Sequence, residues 1–222
     1  MIVWMELDQY MAAGEFVDSG DAEVQEFAQE ATAGADDDVA RAVKLYYAVR
    51  DEILYDPYYA GDARRYFRAS DCLRAKRGFC IPKAALLAAA ARSVGIPARV
   101  AYADVRNHLS TKKLLDLMGC DIFIWHSFAE LYLEGRWVKA TPAFNLSLCQ
   151  RFGVHPLEFD GHHDSLFHEF DQAGRKHMEY VRERGNYPDV PYEAILADFK
   201  MTYPRWMTLV TQGKRGEFAT EA

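Results

Sequence analysis

A stretch rich in alanine and leucine, residues 80–95, constrains the fold of this chain more than any other part of it. Alanine and leucine are strong helix formers, and Pro82 suits a first helical turn, where its missing N–H costs nothing. Gly95 provides a C-terminal stop, and Pro97 cannot continue the helix. The sequence therefore predicts a helix that begins at Cys80. Its buried face is marked by apolar residues at helical spacing, namely Ala84, Leu87, Ala91 and Val94.

Cys80 stands at the head of that helix, on the same stripe as the apolar residues. A thiol at a helix N-terminus lies at the positive end of the helix dipole, which favours the thiolate. This position makes Cys80 a candidate nucleophile. The alternative is a structural cysteine, because a free cysteine packs as a small hydrophobe. A nucleophile needs a base to accept its proton, so the rest of the chain decides between the two readings.

Length and composition narrow the class of protein. The chain has 222 residues, half of them hydrophobic, which is enough for a single domain, residues 1–222, with one sizeable core. A formal charge of −7 argues against nucleic acid or an anionic membrane as the main partner. No apolar run approaches the roughly 20 residues that span a bilayer, and the first residues lack the basic and apolar regions of a signal peptide. The four cysteines are widely spaced, as expected for reduced thiols in a cytoplasmic protein.

An antiparallel sheet is predicted behind the Cys80 helix. Its three strands are expected at residues 98–105, 121–133 and 136–141, with a tight turn at Glu134 and Gly135 between the last two. Thr111 caps a short helix in the polar insertion after the first strand. Outside this region the patterns predict helices at 21–31 and 38–53, a short helix capped by Ser70, a strand at 175–183 and a helix opened by Pro191.

His126 supplies the base that the nucleophile needs. It lies on the second predicted strand, where alternation places Ile122, Ile124, His126, Phe128, Glu130 and Tyr132 on one face. An imidazole beside Cys80 would accept the thiol proton, and the resulting ion pair would keep a thiolate available at neutral pH. A single histidine on an apolar strand is more often a core residue. Its combination with a cysteine at a helix start, in this chain order, favours catalysis.

Three segments resemble the transglutaminase-like superfamily, a branch of the papain-like thiol enzymes. They are Gly78-Phe79-Cys80 with its helix and Gly95-Ile96-Pro97-Ala98-Arg99-Val100, then His126-Ser127-Phe128-Ala129-Glu130-Leu131-Tyr132, then Gly135-Arg136-Trp137-Val138-Lys139-Ala140-Thr141-Pro142. The resemblance covers residues 38–145 and implies an α+β, papain-like fold. N-terminal helices would precede a nucleophile helix packed on the antiparallel sheet. It also implies Cys80 as nucleophile, with its N–H as an oxyanion donor, and His126 as general base and acid.

The third catalytic position departs from the family pattern. The family usually has an aspartate immediately before the proline of the returning strand, where this chain has Thr141. A carboxylate there would orient the imidazole and stabilise its charged form, whereas a threonine hydroxyl carries no charge. The hairpin register puts Thr141 opposite Phe128, near His126. The alternatives that might orient His126 from the following loop are Asn145, Asp160 and Asp164.

The sequence leaves three functional hypotheses. The first is an intracellular cysteine hydrolase, or an acyltransferase with the same acyl-enzyme, acting on a peptide, a protein or a small amide without a cofactor or metal. The second is a non-catalytic binding or scaffold protein of the same fold, motivated by Thr141. The third is a metal site built from His155, His162, His163 and His168. It is the weakest of the three hypotheses, because adjacent histidines on a strand point apart and rarely bind one metal ion together. Residues 146–222 form a C-terminal elaboration, of which residues 146–190 are expected to shape the cleft.

Overall fold

The computed structural model describes residues 7–108, 110–167, 171–175, 177–213 and 218–221. In these residues the α-helices are α1 Ala22–Ala31, α2 Asp38–Glu52, α3 Ala69–Ala75, α4 Cys80–Ser93, α5 Lys112–Met118, α6 Leu146–Phe152, α7 Tyr192–Thr202 and α8 Pro204–Thr211. The strands are β1 Leu54–Tyr55, β2 Arg77–Gly78, β3 Ala98–Asn107, β4 Ile122–Leu133, β5 Arg136–Ala140 and β6 Met178–Tyr187. Short 3₁₀ turns occur at Asp8–Tyr10, Arg64–Tyr66 and Phe218–Thr220.

The main sheet has four strands in the order β5-β4-β3-β6, and every neighbouring pair is antiparallel. The three strands expected between residues 98 and 141 are present, joined by the Glu134–Gly135 turn, in which both residues have positive φ. β6 comes from the C-terminal part of the chain and pairs with β3. The α+β fold predicted from the sequence, with helices packed on an antiparallel sheet, is confirmed.

Helix α4, which begins at Cys80, lies at the centre of the molecule. It packs on β3 and β4 on one side and contacts α1, α2 and α3 on the others. Residues 81–92 are all buried. The expectation of one buried face is therefore incomplete, because the helix is buried on every side. The reason is the alanine content of the helix, because small side chains let a sheet and other helices approach from several directions.

Burial on every side leaves two charged residues of α4 inside the protein. Lys83 donates from Nζ to the carbonyl oxygens of Arg50, at 3.0 Å, and Ile53, which are orphan acceptors at the C-terminal end of α2. Arg92 donates from Nε to the carbonyl of Ala98 at 2.9 Å and so joins the end of α4 to the start of β3. Burial lowers the pKa of Lys83 to about 7. Both side chains therefore satisfy buried backbone groups.

Of two helix caps predicted from the sequence, the structure has one, at Thr111, and lacks the other, at Ser70. Thr111 caps α5, because its side chain accepts a hydrogen bond from the N–H of Leu114 at 3.1 Å, as predicted. Ser70 was expected to cap the short helix before Cys80, and this is wrong. The helix begins one residue earlier, and the N–H of Ser70 donates to the carboxylate of Asp18 at 3.1 Å. A carboxylate from a distant loop therefore takes the acceptor role expected of the hydroxyl.

The regular alternation expected along β4 is interrupted by a bulge. Phe123 pairs with Val105 and His126 pairs with Ala103, so two residues of β4 stand opposite Asp104 alone. His126 consequently shares its side of the sheet with Phe123. The expected grouping of His126 with Ile122 and Ile124 is wrong, since the extra residue reverses the faces on one side of the bulge.

No helix in the described part of the chain is long and apolar enough to cross a membrane.

Candidate active site

Strand β2, which pairs with β1, lies immediately before Cys80 in the chain and fixes the backbone there. Tyr55 lies opposite Gly78 in a parallel register. A Cβ at Gly78 would lie 2.8 Å from the sulfur of Cys72, so only glycine allows this close approach. Phe79 then packs into the core, and Cys80 opens α4. The position of the Cys80 sulfur is therefore determined by the paired strand β2 before it and by the buried helix α4 after it.

Cys80 and His126 line the same cavity, which has a volume of about 50 Å³ and is called here the Cys80 cavity. No acidic, lysine or arginine side chain is among its described lining residues. The other walls are apolar or aromatic and comprise Tyr55, Pro57, Phe79, Leu114, Met118, Phe123, Ile124, Phe199, Tyr203 and Trp206. The two predicted reactive groups thus meet in a small apolar space.

The surroundings of the Cys80 sulfur act on its pKa in opposite directions. Burial is the larger influence and raises the pKa of the thiol to about 11. The main-chain N–H groups of Ser127, Ile81 and Cys80 itself lie near the sulfur and lower the pKa by a smaller amount. The thiol is therefore protonated in the resting protein at neutral pH. Its N–H neighbours are nevertheless arranged to stabilise negative charge at the head of α4.

His126 is also neutral in the resting protein. The residue is 8% exposed, and burial lowers the pKa of its imidazole to about 4. Its Nε2 atom is buried and has no hydrogen-bond partner among the described residues. A cavity of low polarity disfavours both charged forms. Burial of both groups therefore works against the thiolate–imidazolium pair expected from the sequence.

The position of His126 is fixed through Trp125, which precedes it in the β4 bulge. Trp125 has φ 58°, a strained value for a bulky residue. Asp104 accepts a hydrogen bond from its main-chain N–H at 3.0 Å, and Asp198 accepts one from its indole N–H at 2.8 Å. Arg184 bridges the two carboxylates at 2.5 and 2.7 Å, and its guanidinium lies 4.5 Å from the centre of the indole ring. β3, β6 and α7 therefore hold the bulge together.

Thr141 reaches the neighbourhood of His126. Both residues line a second cavity, of about 20 Å³, which also has His155 and His177 in its walls. The Oγ1 atom of Thr141 is buried and has no hydrogen-bond partner in the described part of the chain. The structure thus brings Thr141 and His126 to one cavity without a hydrogen bond between the hydroxyl and the imidazole.

The backbone at Thr141 leaves the β4–β5 ladder. The last pair of that ladder is Ala129 with Ala140, and the N–H of Thr141 donates to the carbonyl of Ser165 at 3.0 Å. The β4–β5 register is the expected one, but Thr141 comes one position after its last pair and is not bonded to β4. The segment around Ser165 runs parallel to the end of β5 and competes for the backbone groups there.

Asn145 has a different role from the one considered for it. Its Oδ1 accepts a hydrogen bond from the main-chain N–H of Tyr55 at 3.0 Å, and its Nδ2 donates to the hydroxyl of Ser147 at 2.7 Å. The side chain is buried and both of its ends are occupied. Asn145 therefore anchors β1 beside the Cys80 cavity and does not orient His126.

The two aspartates considered as partners of His126 bond elsewhere. Asp160 accepts hydrogen bonds from the N–H groups of His162 and His163, both at 2.8 Å. Asp164 accepts one from the N–H of Lys139 at 2.9 Å. Each carboxylate thus stabilises the loop that follows β5, and neither is bonded to the imidazole of His126.

The histidines weighed as a metal site are not gathered together. His162 pairs with Glu134 at 3.1 Å, whereas His155 lines the second cavity. His168 lies outside the described residues. In the ranges that the structure covers, no group of three or more His, Cys, Asp or Glu side chains is arranged to hold a metal ion. The metal hypothesis therefore has no supporting geometry there.

A larger cavity adjoins the Cys80 cavity and shares Tyr55 with it. It has a volume of about 260 Å³, and Arg77, Arg151 and Asp56 contribute charge to its walls. Sequence reasoning did not single out Tyr55, although it lines both spaces. In the sequence Tyr55 is marked only by its position at the end of a helical pattern, before Asp56 and Pro57. That position carries no functional information.

Comparison with known proteins agrees with the fold. A crystal structure of a Cytophaga hutchinsonii protein, proposed to be a cysteine protease, matches with a TM-score of 0.54 and 15% identity. The match covers 86% of this chain and 50% of that protein, so this chain spans about half its length. No match was found among curated proteins. The family model of the transglutaminase-like superfamily matches residues 25–142, more than half of the chain, and the chain therefore belongs to that superfamily.

Proposed function

We propose that this protein is a thiol-dependent hydrolase that cleaves an amide bond through a thioester on Cys80, with His126 as general base and then general acid. The observation that carries the proposal is that both residues line one small cavity at the head of α4. The N–H groups of Ser127 and Ile81 around the sulfur support it, because they favour the negative charge that develops there. Transfer of the acyl group to an amine is a variant that uses the same intermediate.

The reaction divides into two displacements. In the first, the Cys80 sulfur bonds to the amide carbon while its proton passes to His126, and the carbonyl electron pair moves onto oxygen. When the C–N bond breaks, His126 returns that proton to the leaving amine. In the second, His126 takes a proton from water and the hydroxyl oxygen bonds to the thioester carbon. The C–S bond then breaks to release the acid, and His126 returns the proton to the sulfur to regenerate the thiol. Base assistance of this kind contributes about 10²–10⁴-fold in rate.

The depressed pKa of His126 suits the proposed first step. A base must be unprotonated to accept the thiol proton, and burial keeps the imidazole neutral at pH 7. Charge then develops on sulfur and imidazole only while the substrate occupies the site. The N–H donors at the head of α4 are already in place to meet that charge, so the protein needs little rearrangement at that moment.

The walls of the Cys80 cavity indicate an uncharged substrate group. Phe199, Tyr203 and Trp206, from α7 and the start of α8, form part of the wall. In this proposal residues 146–222 belong to a single domain with the catalytic core, and they select the group that enters. An apolar acyl group of a peptide, protein or small amide fits, because a buried unpaired charge is costly.

A non-catalytic binding protein is the second candidate. The raised pKa of Cys80 and the uncharged side chain at Thr141 favour it, because neither residue is arranged to keep a thiolate at rest. On this alternative Cys80→Ala would leave the biological role intact. The absence of a cofactor and a cytoplasmic location stay predictions on either hypothesis.

The hydrolase proposal is tested with a matched pair of chromogenic amides, the 4-nitroanilides of butyric acid and of monosuccinic acid. The two acyl groups have the same chain length, and only the second carries a carboxylate. We expect release of nitroaniline from the butyryl compound to depend on Cys80 and to exceed that from the succinyl compound at least tenfold (about 1.4 kcal/mol). Equal release by Cys80→Ala, or no release from either compound, would favour the binding protein.

A further inference from the structure

Tyr55 lies closer to the reactive cysteine than its distance in sequence suggests. The β1–β2 pairing places it opposite Gly78, two residues before Cys80. Its side chain lines the Cys80 cavity on one side and the larger cavity on the other. A group entering the Cys80 cavity would therefore contact this side chain.

The ring of Tyr55 is held in one position. Phe144 packs edge-on against it with ring centres 4.7 Å apart, and Phe218 does so at 5.7 Å. The main-chain N–H is anchored by the buried amide of Asn145 at 3.0 Å. Backbone and ring are thus both fixed before any substrate binds, which is what a preorganised hydrogen-bond donor requires.

The hydroxyl of Tyr55 has no hydrogen bond to any other described residue. Burial raises the pKa of the phenol well above its usual value, and the neighbouring Cys80 thiol and Asp56 carboxylate raise it further. The hydroxyl therefore stays protonated beside the sulfur, where it can donate.

We propose that the Tyr55 hydroxyl is the second donor to the oxyanion formed when Cys80 attacks the substrate carbonyl, the first being the N–H of Cys80. This inference rests on the proposed function and adds a catalytic residue to it. As the C–S bond forms, the carbonyl electron pair moves onto oxygen, and Tyr55 donates a hydrogen bond to that oxygen without giving up its proton. The bond is lost again when the carbonyl reforms in the thioester.

The test compares Tyr55→Phe with Tyr132→Phe, which also removes one phenolic hydroxyl but lies against Trp137 with ring centres 5.2 Å apart. Two rates are measured on each protein. The first is acylation of Cys80 by 4-nitrophenyl butyrate, which passes through an oxyanion. The second is alkylation of Cys80 by iodoacetamide, a displacement at an sp³ carbon that forms none. Circular dichroism melting reports whether each variant folds.

We expect Tyr55→Phe to acylate roughly 10²–10³-fold more slowly, the loss typical of one oxyanion donor. Its alkylation rate should stay within about twofold and its melting temperature should not fall. Tyr132→Phe should match the wild-type protein in both reactions. Acylation of Tyr55→Phe within threefold of wild type would overturn the inference, as would an equal loss in both reactions. If the wild-type protein itself forms no acyl-Cys80, the proposed function fails, and the inference fails with it.

Discussion

The main-chain N–H of Ser127, the residue that follows His126 on β4, lies near the sulfur of Cys80 and lowers the pKa of that thiol. This contact joins the head of α4 to the strand that carries the base. The relative position of thiol and imidazole therefore depends on the backbone of β4, and above all on the bulge that ends at His126. The same N–H is one of the groups that stabilise negative charge on the sulfur.

Removing the clamp on Trp125 should lower activity by displacing His126. Asp104→Ala leaves the buried N–H of Trp125 without its acceptor and releases one end of Arg184, which should cost about 1–3 kcal/mol of stability. We expect acylation of Cys80 to slow at least tenfold at a temperature where the variant is still folded. Asp116→Ala, which removes an exposed carboxylate paired with Lys112, is the control and should change neither quantity. Wild-type acylation kinetics in folded Asp104→Ala would show that the clamp is only structural.

The pH profile of kcat/KM should report the low pKa of His126. The imidazole must be neutral to accept the thiol proton, and its pKa lies at about 4 rather than at its ordinary value. Activity should therefore persist as the pH falls below 6.5 and decline only toward pH 4, provided that circular dichroism shows a folded protein. An acid limb at or above pH 6.5 would contradict a depressed pKa for this imidazole, whereas loss of activity at alkaline pH would indicate a resting thiolate–imidazolium pair, which needs the imidazolium proton.

The side chain of Thr141 should contribute little to catalysis. It has no hydrogen bond to the imidazole of His126, so Thr141→Val should lower kcat/KM less than tenfold. In a serine protease, neutralising the orienting aspartate costs about 10⁴-fold. A loss of that size in Thr141→Val would mean that the hydroxyl orients His126 during turnover.

Placing the family's carboxylate at the third position should change the titration of the base. In Thr141→Asp a negative charge near His126 would favour the imidazolium and raise its pKa. The acid limb of kcat/KM should then move to higher pH than in the wild-type protein. An unchanged limb in a folded variant would show that this position does not communicate with His126.

Lys83 should make stability increase with pH. Its pKa is lowered to about 7 in the folded protein, so between about pH 7 and 10 the unfolded chain binds more protons at this residue. The unfolding free energy of the wild-type protein relative to Lys83→Met should therefore rise by roughly 1 kcal/mol per pH unit in that interval. Urea titrations of the two proteins at several pH values measure it. A difference that stays constant, or falls, would mean that Lys83 remains charged inside the fold.

Local signals in the sequence were sufficient for the nucleophile helix and the three strands that follow it. Helix formers bounded by Pro82 and Gly95 fix α4, and the Glu134–Gly135 turn fixes the β4–β5 register near the hairpin. These features depend on neighbouring residues only, which is why Cys80 and His126 could be paired without a structure.

What the sequence could not provide depends on residues far apart in the chain. The bulge before His126 requires Arg184 from β6, and the place of Tyr55 requires Asn145, 90 residues later. Burial of α4 on all sides reflects the packing of three helices and a sheet. Periodicity reports one buried face at a time, and it therefore missed both the neutral state of the reactive pair and the enclosure of Lys83.

The most direct test of the account is to incubate the protein with 4-nitrophenyl butyrate at pH 7, quench with acid and locate the butyryl group by peptide mass spectrometry. The account predicts a butyryl adduct on Cys80, none on Cys72, Cys120 or Cys149, and formation at least 10²-fold slower in His126→Ala. An adduct shared among the four cysteines, or a rate on Cys80 unaffected by His126→Ala, would contradict the claim that these two residues form a catalytic pair.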